Sequence, residues 1–349
     1  MIEPFSKEAL SQLRTFHGFK YLLNPIVYSK IFDKLKIEQN YPDIQSRLKV
    51  LDLYCGPPQQ AILFSNRYHP AQHIIMENRK SFTTLINANL DRLSPPLQSS
   101  SLDPYNWDSY LKLTDKTHQL TLTTQPRTHM HNEFLLWGNV TDRRMEGLIV
   151  QWLKCAGYKN WLQRYGRVRM LLWVPCSTAV KLMAPPGVTA RSKISLVRET
   201  FTDTKLVAIG GEQHGGAGKF SETMLKEHDP VIFGWEDMVP DKKKQGDDGI
   251  ALLDIKPKDH DIDFLLWDYV TKYLMILRRT PFAEAAESLG HGGREYFTEK
   301  IGDPEFMKRY PITFTSEEFL KLTQLFDIWP FKPDITMDLY DDNNDVHDL

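Results

Sequence analysis

Asp52 in "VLDLYCGPP" and Glu77 in "HIIMENR" each close an apolar run, and they stand 25 positions apart. In a doubly wound sheet, a carboxylate about 20 residues beyond the first turn accepts hydrogen bonds from ribose hydroxyls, so this pair has the chemistry of a nucleotide seat. The turn after the first run argues the other way. Such a seat needs the spacing acidic-x-Gly-x-Gly-x-Gly, because a Cβ blocks positive φ and keeps the backbone away from the ligand. The residues at those positions are Asp52, Tyr54, Gly56 and Pro58. Tyr54 adds bulk, and Pro57 and Pro58 remove two amide donors. On these residues alone, the turn reads as a strand end that has kept its place and lost its ligand.

A second group of residues suits nucleic acid. Between Glu146 and Glu199 there is no acidic residue, while Lys154, Lys159, Arg164, Arg167, Arg169, Lys181, Arg191, Lys193 and Arg198 all fall inside. Trp152, Tyr158, Trp161, Tyr165 and Trp173 are interleaved with them. Cations neutralise phosphates and flat rings stack on bases. The competing reading is a set of core aromatics with solvated charges, and it suits Trp152 on a helix and Trp173 in a buried strand. Arg191 and Lys193 follow "APPGVT" in what reads as a loop. In "DPYNWDSY", Tyr105 and Trp107 follow a third apolar run that ends near Asp103, at the sheet edge where open α/β folds bind ligands. The residues leave open whether those two rings anchor the loop or stack on bases.

The elements that must carry these groups alternate. "VYSKIFDKLK" has Val27, Ile31 and Leu35 at helical spacing behind Pro25. Strand, helix, strand, helix, strand follow through "LKVLDLY", "HIIMENR", "FTTLINANL" and "LQSSSLDPY", the pattern of an α/β fold with parallel strands. "NEFLLWGNV", "VRMLLWVP" and "IALLDIKP" read as further strands, "EGLIVQWLKCAG" as a helix, and "ISLVRETFTDTKLVAI" as a pair of antiparallel strands. From about Asp261 the pattern turns helical, with a capping-box-like Thr315-Ser316-Glu317-Glu318 before "FLKLTQLFDIWP". The division predicted is an α/β domain over 1–260, a helical domain over 261–333 and an acidic, flexible tail over 334–349.

Composition excludes several classes. At 349 residues with a net charge of -2, nucleic-acid contact requires a local patch. Cys55, Cys155 and Cys176 make neither an even disulfide set nor a zinc spacing, so a reducing compartment and no metal site are expected. No apolar run approaches the ~20 residues of a membrane-spanning helix, so a soluble chain is expected. The first residues, with Glu3 and Glu8, resemble neither a secretory signal nor an Arg-rich presequence. "GGEQHGGAGKF" is not a P-loop, since Gln213 and Phe220 occupy the places of Gly and Ser/Thr.

From about Phe16 to about Pro333 the chain resembles the fungal mitochondrial transcription factor B family, which descends from the ribosomal RNA adenine dimethyltransferases. The resemblance is carried by "GFKYLLNPIVYSKIFDKL", "VLDLYCG", "MENR", "DPYNWDSY", "ARSKISLVRETFTDTKLVAI" and "LMILRRTPFAEAAESLGHGGREYF", in that order. It implies a Rossmann-like S-adenosylmethionine methyltransferase fold, a mostly parallel sheet flanked by helices, with a small C-terminal helical domain. The implied function is mitochondrial transcription initiation: a monomer joins a single-subunit RNA polymerase, helps melt promoter DNA and holds the melted non-template strand, without a membrane. The implied DNA-binding residues are Tyr105, Trp107, Arg191, Lys193 and Arg198. Asp52, Gly56, Glu77, Asp103 and Asn139 match the cofactor and base positions of the enzymes. The enzymes' Asn-x-Pro-aromatic motif, which clamps a flipped base, is here Asn139-Val140-Thr141-Asp142, so no catalytic residue is expected and the S-adenosylmethionine site reads as vestigial. The alternatives are an active rRNA adenine dimethyltransferase and a structural ribosome-assembly protein.

Overall fold

Near-continuous apolar runs such as "KVLDL" and "RMLLWVP" form strands covered on both faces in the computed structural model, which describes residues 1–15, 17–93, 97–211, 215–239 and 248–335. Eight strands make one sheet: β1 Lys49–Leu53, β2 Gln72–Met76, β3 Leu97–Ser100, β4 Met130–Asn139, β5 Arg167–Pro175, β6 Thr202–Gly210, β7 Val231–Phe233 and β8 Ile250–Pro257. Their order is β3-β2-β1-β4-β5-β8-β6-β7. Neighbours are parallel except that β8 lies antiparallel between β5 and β6. Chain order reverses between β1 and β4, which pair from Lys49 opposite Phe134 to Leu53 opposite Gly138. That reversal opens a crevice at the carboxyl ends of the two strands, where doubly wound sheets bind ligands.

Helix α1 (Pro25–Leu35) starts where its sequence says. Pro25 sits in the first turn, the Asn24 side chain accepts from the Ile26 amide, and Val27, Ile31 and Leu35 are buried along one face. The others that matter for the site are α2 Gln59–Tyr68, α3 Lys80–Asn87, α4 Trp107–Leu111, α5 Glu146–Tyr158, α6 Cys176–Met183, α7 Lys193–Phe201 and α8 Glu222–His228. Phe32 of α1, Phe64 of α2 and Trp137 of β4 meet edge-on at 5.7–6.1 Å, tying the helices to the sheet.

The chain divides into two units, Met1–Val180 with Phe201–Asp259, and Lys181–Thr200 with His260–Leu349. One border between the units lies between Asp259 and His260. The first unit is not the continuous 1–260, however, because Lys181–Thr200 groups with the C-terminal helices. Within the second unit, α9 (Phe264–Ile276) is capped by Asp263, and α10 (Ser316–Asp327) by the reciprocal Thr315/Glu318 box. Tyr269 and Phe326 stack at 5.2 Å between these two helices.

One predicted strand is corrected. Residues 193–201 form α7, with Leu196, Val197, Thr200 and Phe201 buried at a helical period, and β6 begins only at Thr202. The β-branched Ile194, Val197 and Thr200 gave that helix a strand-like composition. Among the described residues, no helix is long and apolar enough to cross a membrane, and no group of three His, Cys, Asp or Glu is placed to hold a metal ion. Gln213 of the glycine-rich stretch and most of the acidic tail (336–349) lie outside the described residues.

Candidate functional site

At the carboxyl end of β1 the backbone turns through Tyr54 at φ +53° and Gly56 at φ +70°. A Cβ on Gly56 would lie 2.9 Å from Phe19 Cε1, so that close approach serves a ring of the protein's own chain. Glu77, at the end of β2, is 1% exposed. Its carboxylate accepts from the Gly56 amide at 2.9 Å, the Arg79 amide at 2.9 Å, Arg79 Nε at 2.8 Å and Arg79 Nη2 at 2.6 Å. Arg79 Nη2 also donates to the Tyr54 carbonyl at 3.0 Å, and its guanidinium lies 3.8 Å from the centre of the Phe19 ring.

The other carboxylates are engaged as well. Asp103 Oδ1 accepts from the Tyr54 hydroxyl at 2.8 Å and from the Tyr105 amide at 2.9 Å. Burial, and then the bond to Asp103, hold the Tyr54 phenol far above its usual titration range. Asp52 is buried within 3.4 Å of Gln60 Nε2 and 3.8 Å of His73 Nε2, and His73 Nδ1 lies 3.0 Å from Ser65 Oγ. Burial pushes the Asp52 carboxyl up, and His73 and Gln60 only partly oppose it. Asn139 donates to the Lys20 carbonyl at 2.9 Å and accepts from the Thr141 hydroxyl at 2.8 Å, so its side chain is spent on the fold. Asp52, Gly56, Glu77, Asp103 and Asn139 therefore all lie at one end of the sheet, and each is bonded to or packed against the chain itself.

The Glu77 oxygens at the ribose position already accept from Gly56 and Arg79, and the Asp103 oxygen at the adenine position accepts from Tyr54. Sequence reasoning missed Arg79, although "MENR" was in view. The signal was a cation two residues past the ribose-type carboxylate, close enough to fold back on it.

Tyr105 and Trp107 are placed differently, 55% and 42% exposed. The Asn106 side chain accepts from the Asp108 amide, and the Tyr110 hydroxyl donates to the Pro104 carbonyl at 2.7 Å, so the loop is braced without using either ring. Trp107 meets Trp161 edge-on at 5.8 Å and 90°. Trp161, held at φ +49°, lies parallel to the buried Trp152 at 5.4 Å. Two aromatics of the acid-free segment thus back a third that is exposed.

The cations of that segment need correction. Arg191 is fully buried, donating to Glu199 at 2.7 Å and to the carbonyls of Ala184 and Phe314 at 3.0 Å. It is not a loop cation that can meet DNA. Lys193 opens α7 rather than lying in a loop, and pairs with Asp268 at 2.9 Å, and Arg198 Nε donates to the Leu182 carbonyl at 3.0 Å. Both keep partial exposure. Arg169 is buried in a two-pronged pair with Asp254, at 2.7 and 2.8 Å. The stretch itself lacks acids, but Glu199 at its border and Asp254 and Asp268 far along the chain reach its cations.

Residues 10–324 match the family model of ribosomal RNA adenine dimethylase. The chain is 48% identical to mitochondrial transcription factor 1 of Saccharomyces paradoxus over 334 residues, 95% of each chain. To the protein of that name in Saccharomyces cerevisiae it is 47% identical over 334 residues, again 95% of each chain. The crystal structure of a dimethyladenosine transferase from Plasmodium falciparum shares the fold, with a TM-score of 0.55 at 13% identity, covering 88% of this chain and 97% of that one.

Proposed function

From the premise that the chain belongs to the ribosomal RNA adenine dimethylase family, we propose that it works without methyl transfer, as a factor that traps melted promoter DNA. Its role is that of a mitochondrial transcription factor, as in relatives that match it over 95% of their length. In the finer reading it joins the single-subunit mitochondrial RNA polymerase as a monomer and holds the non-template strand of the open complex. The observation that carries this is a contrast within one crevice. Glu77 and Asp103 are engaged by Arg79 and Tyr54, while Tyr105 and Trp107 keep half-exposed rings on a braced loop.

Rings that stack on unpaired bases bind single strand and not duplex, so they shift the closed-to-open equilibrium by that difference in affinity. Lys193 and Arg198 stay in the proposal as partly exposed cations, and Arg191 leaves it. The test is the fluorescence of a base analogue at the start site with polymerase present. Tyr105→Ala with Trp107→Ala should lower the open fraction, and opening at the parent level would overturn the placement of the strand.

The retained Asp52, Gly56, Glu77 and Asp103 favour a second reading, an active adenine dimethyltransferase. Calorimetric titration with S-adenosylmethionine separates the two, since heat saturating at micromolar ligand would support the enzyme.

A further inference from the structure

Within the first unit, Arg14, Arg79, Lys80, Asp142 and Arg144 line an open cleft of about 580 Å3 whose floor includes Phe19. Four cations here face two carboxylates: Asp142, which accepts from Arg144 at 3.0 Å, and Glu77 beneath Arg79. Among these residues the balance is two positive charges. A net positive lining disfavours a methyl donor whose sulfonium, ammonium and carboxylate sum to one positive charge, whereas a phosphodiester is attracted and the concave walls focus the field on it. Lys80 and Ser81 open α3, whose first turn has no side-chain cap, so the peptide dipoles add to the same sign. Phe19 is 1% exposed and covered by the Arg79 guanidinium at 3.8 Å, so no base can stack on the floor. The cleft therefore offers charge and no open ring face at its floor.

We propose that this cleft is a phosphate seat for the backbone of a single strand of nucleic acid, with Arg14, Lys80 and Arg144 as the contacting groups. The inference deepens the function proposed above and rests on it only for the source of the strand. The seat holds any sequence, and Tyr105 and Trp107 supply the stacking.

The test is fluorescence anisotropy of a labelled oligothymidylate titrated with the full chain across a salt series. Each seated phosphate contributes about 0.7 to the slope of log K against log salt for a single strand. Arg14→Gln and Lys80→Gln, both at exposed positions, should each lower the slope by about 0.7, and the double variant by about twice that. Lys226→Gln, on α8 and outside the cleft lining, should leave it unchanged. An oligomer with an uncharged methylphosphonate backbone should bind parent and double variant alike. A double variant with the parent's slope overturns the seat, and so does a parent chain that fails to bind the oligomer. If promoter opening with polymerase persists in either case, the factor role stands and the seat alone falls.

Discussion

The Arg79 guanidinium grips both oxygens of Glu77, Nε at 2.8 Å from Oε1 and Nη2 at 2.6 Å from Oε2. The fork puts a built-in cation over a carboxylate that in an enzyme of this fold would receive a ribose. Glu77 is 1% exposed and Arg79 20% by side chain, so breaking the pair strands a buried charge on one side only. Arg79→Ala should therefore destabilise the protein by about 2–3 kcal/mol, below the range for fully buried pairs because Arg79 is partly wet. Arg79→Lys should fall between, keeping charge without the fork. Urea unfolding measures this, and an Arg79→Ala midpoint equal to the parent's would remove the structural role assigned to Arg79.

Tyr105→Ala, at a half-exposed position, should leave stability within about 0.5 kcal/mol, whereas Trp107→Ala also loses its edge-on contact with Trp161 and should cost more. Each should weaken open-complex formation by about 1–3 kcal/mol if it stacks on a base. Trp161→Ala should weaken opening too, through lost support of Trp107, and at a cost in stability because Trp161 packs on Trp152. Parallel base-analogue fluorescence and thermal melts would separate the two classes.

Arg191 should behave as a structural residue. Arg191→Lys cannot reach Glu199 and the carbonyls of Ala184 and Phe314 together, and a loss of about 2–4 kcal/mol is expected. The salt dependence of DNA binding, measured on the folded variant, should keep its slope. A slope reduced by about 0.7 with stability intact would return Arg191 to the DNA surface.

Asp52 makes stability depend on pH in an uncommon direction for an acid. Burial raises its carboxyl pKa above the unfolded value of about 3.9, so the folded state binds the proton more tightly than the unfolded chain. The sign follows: stability falls as pH rises from about 4 upward through the raised folded value. Asp52→Asn should flatten that segment of the profile and at neutral pH be no less stable than the parent. Urea midpoints across pH would decide, and parallel profiles for the two proteins would count against the assignment.

Periodicity and caps settled a good deal about this protein before any coordinates. The runs that became β1, β2, β4, β5 and β8, the α1 start at Asn24-Pro25 and the Thr315/Glu318 box are local effects, decided by residues within one or two turns of each other. So was the damaged turn after Asp52, because the need for glycine there is set by backbone sterics. What closed the crevice was not local. Phe19, Tyr54, Arg79 and Asp103 are spread over 85 positions, and the last three meet because β1, β2 and β3 lie side by side and parallel, which brings their carboxyl ends to one edge of the sheet. The charge of the 146–199 segment was likewise decided in three dimensions, where Asp254 and Asp268 reach Arg169 and Lys193. Propensity and capping act over a few residues, whereas burial and ion pairing depend on distance in space, so the strand ends could be read from the chain but the fate of each charged group needed the fold.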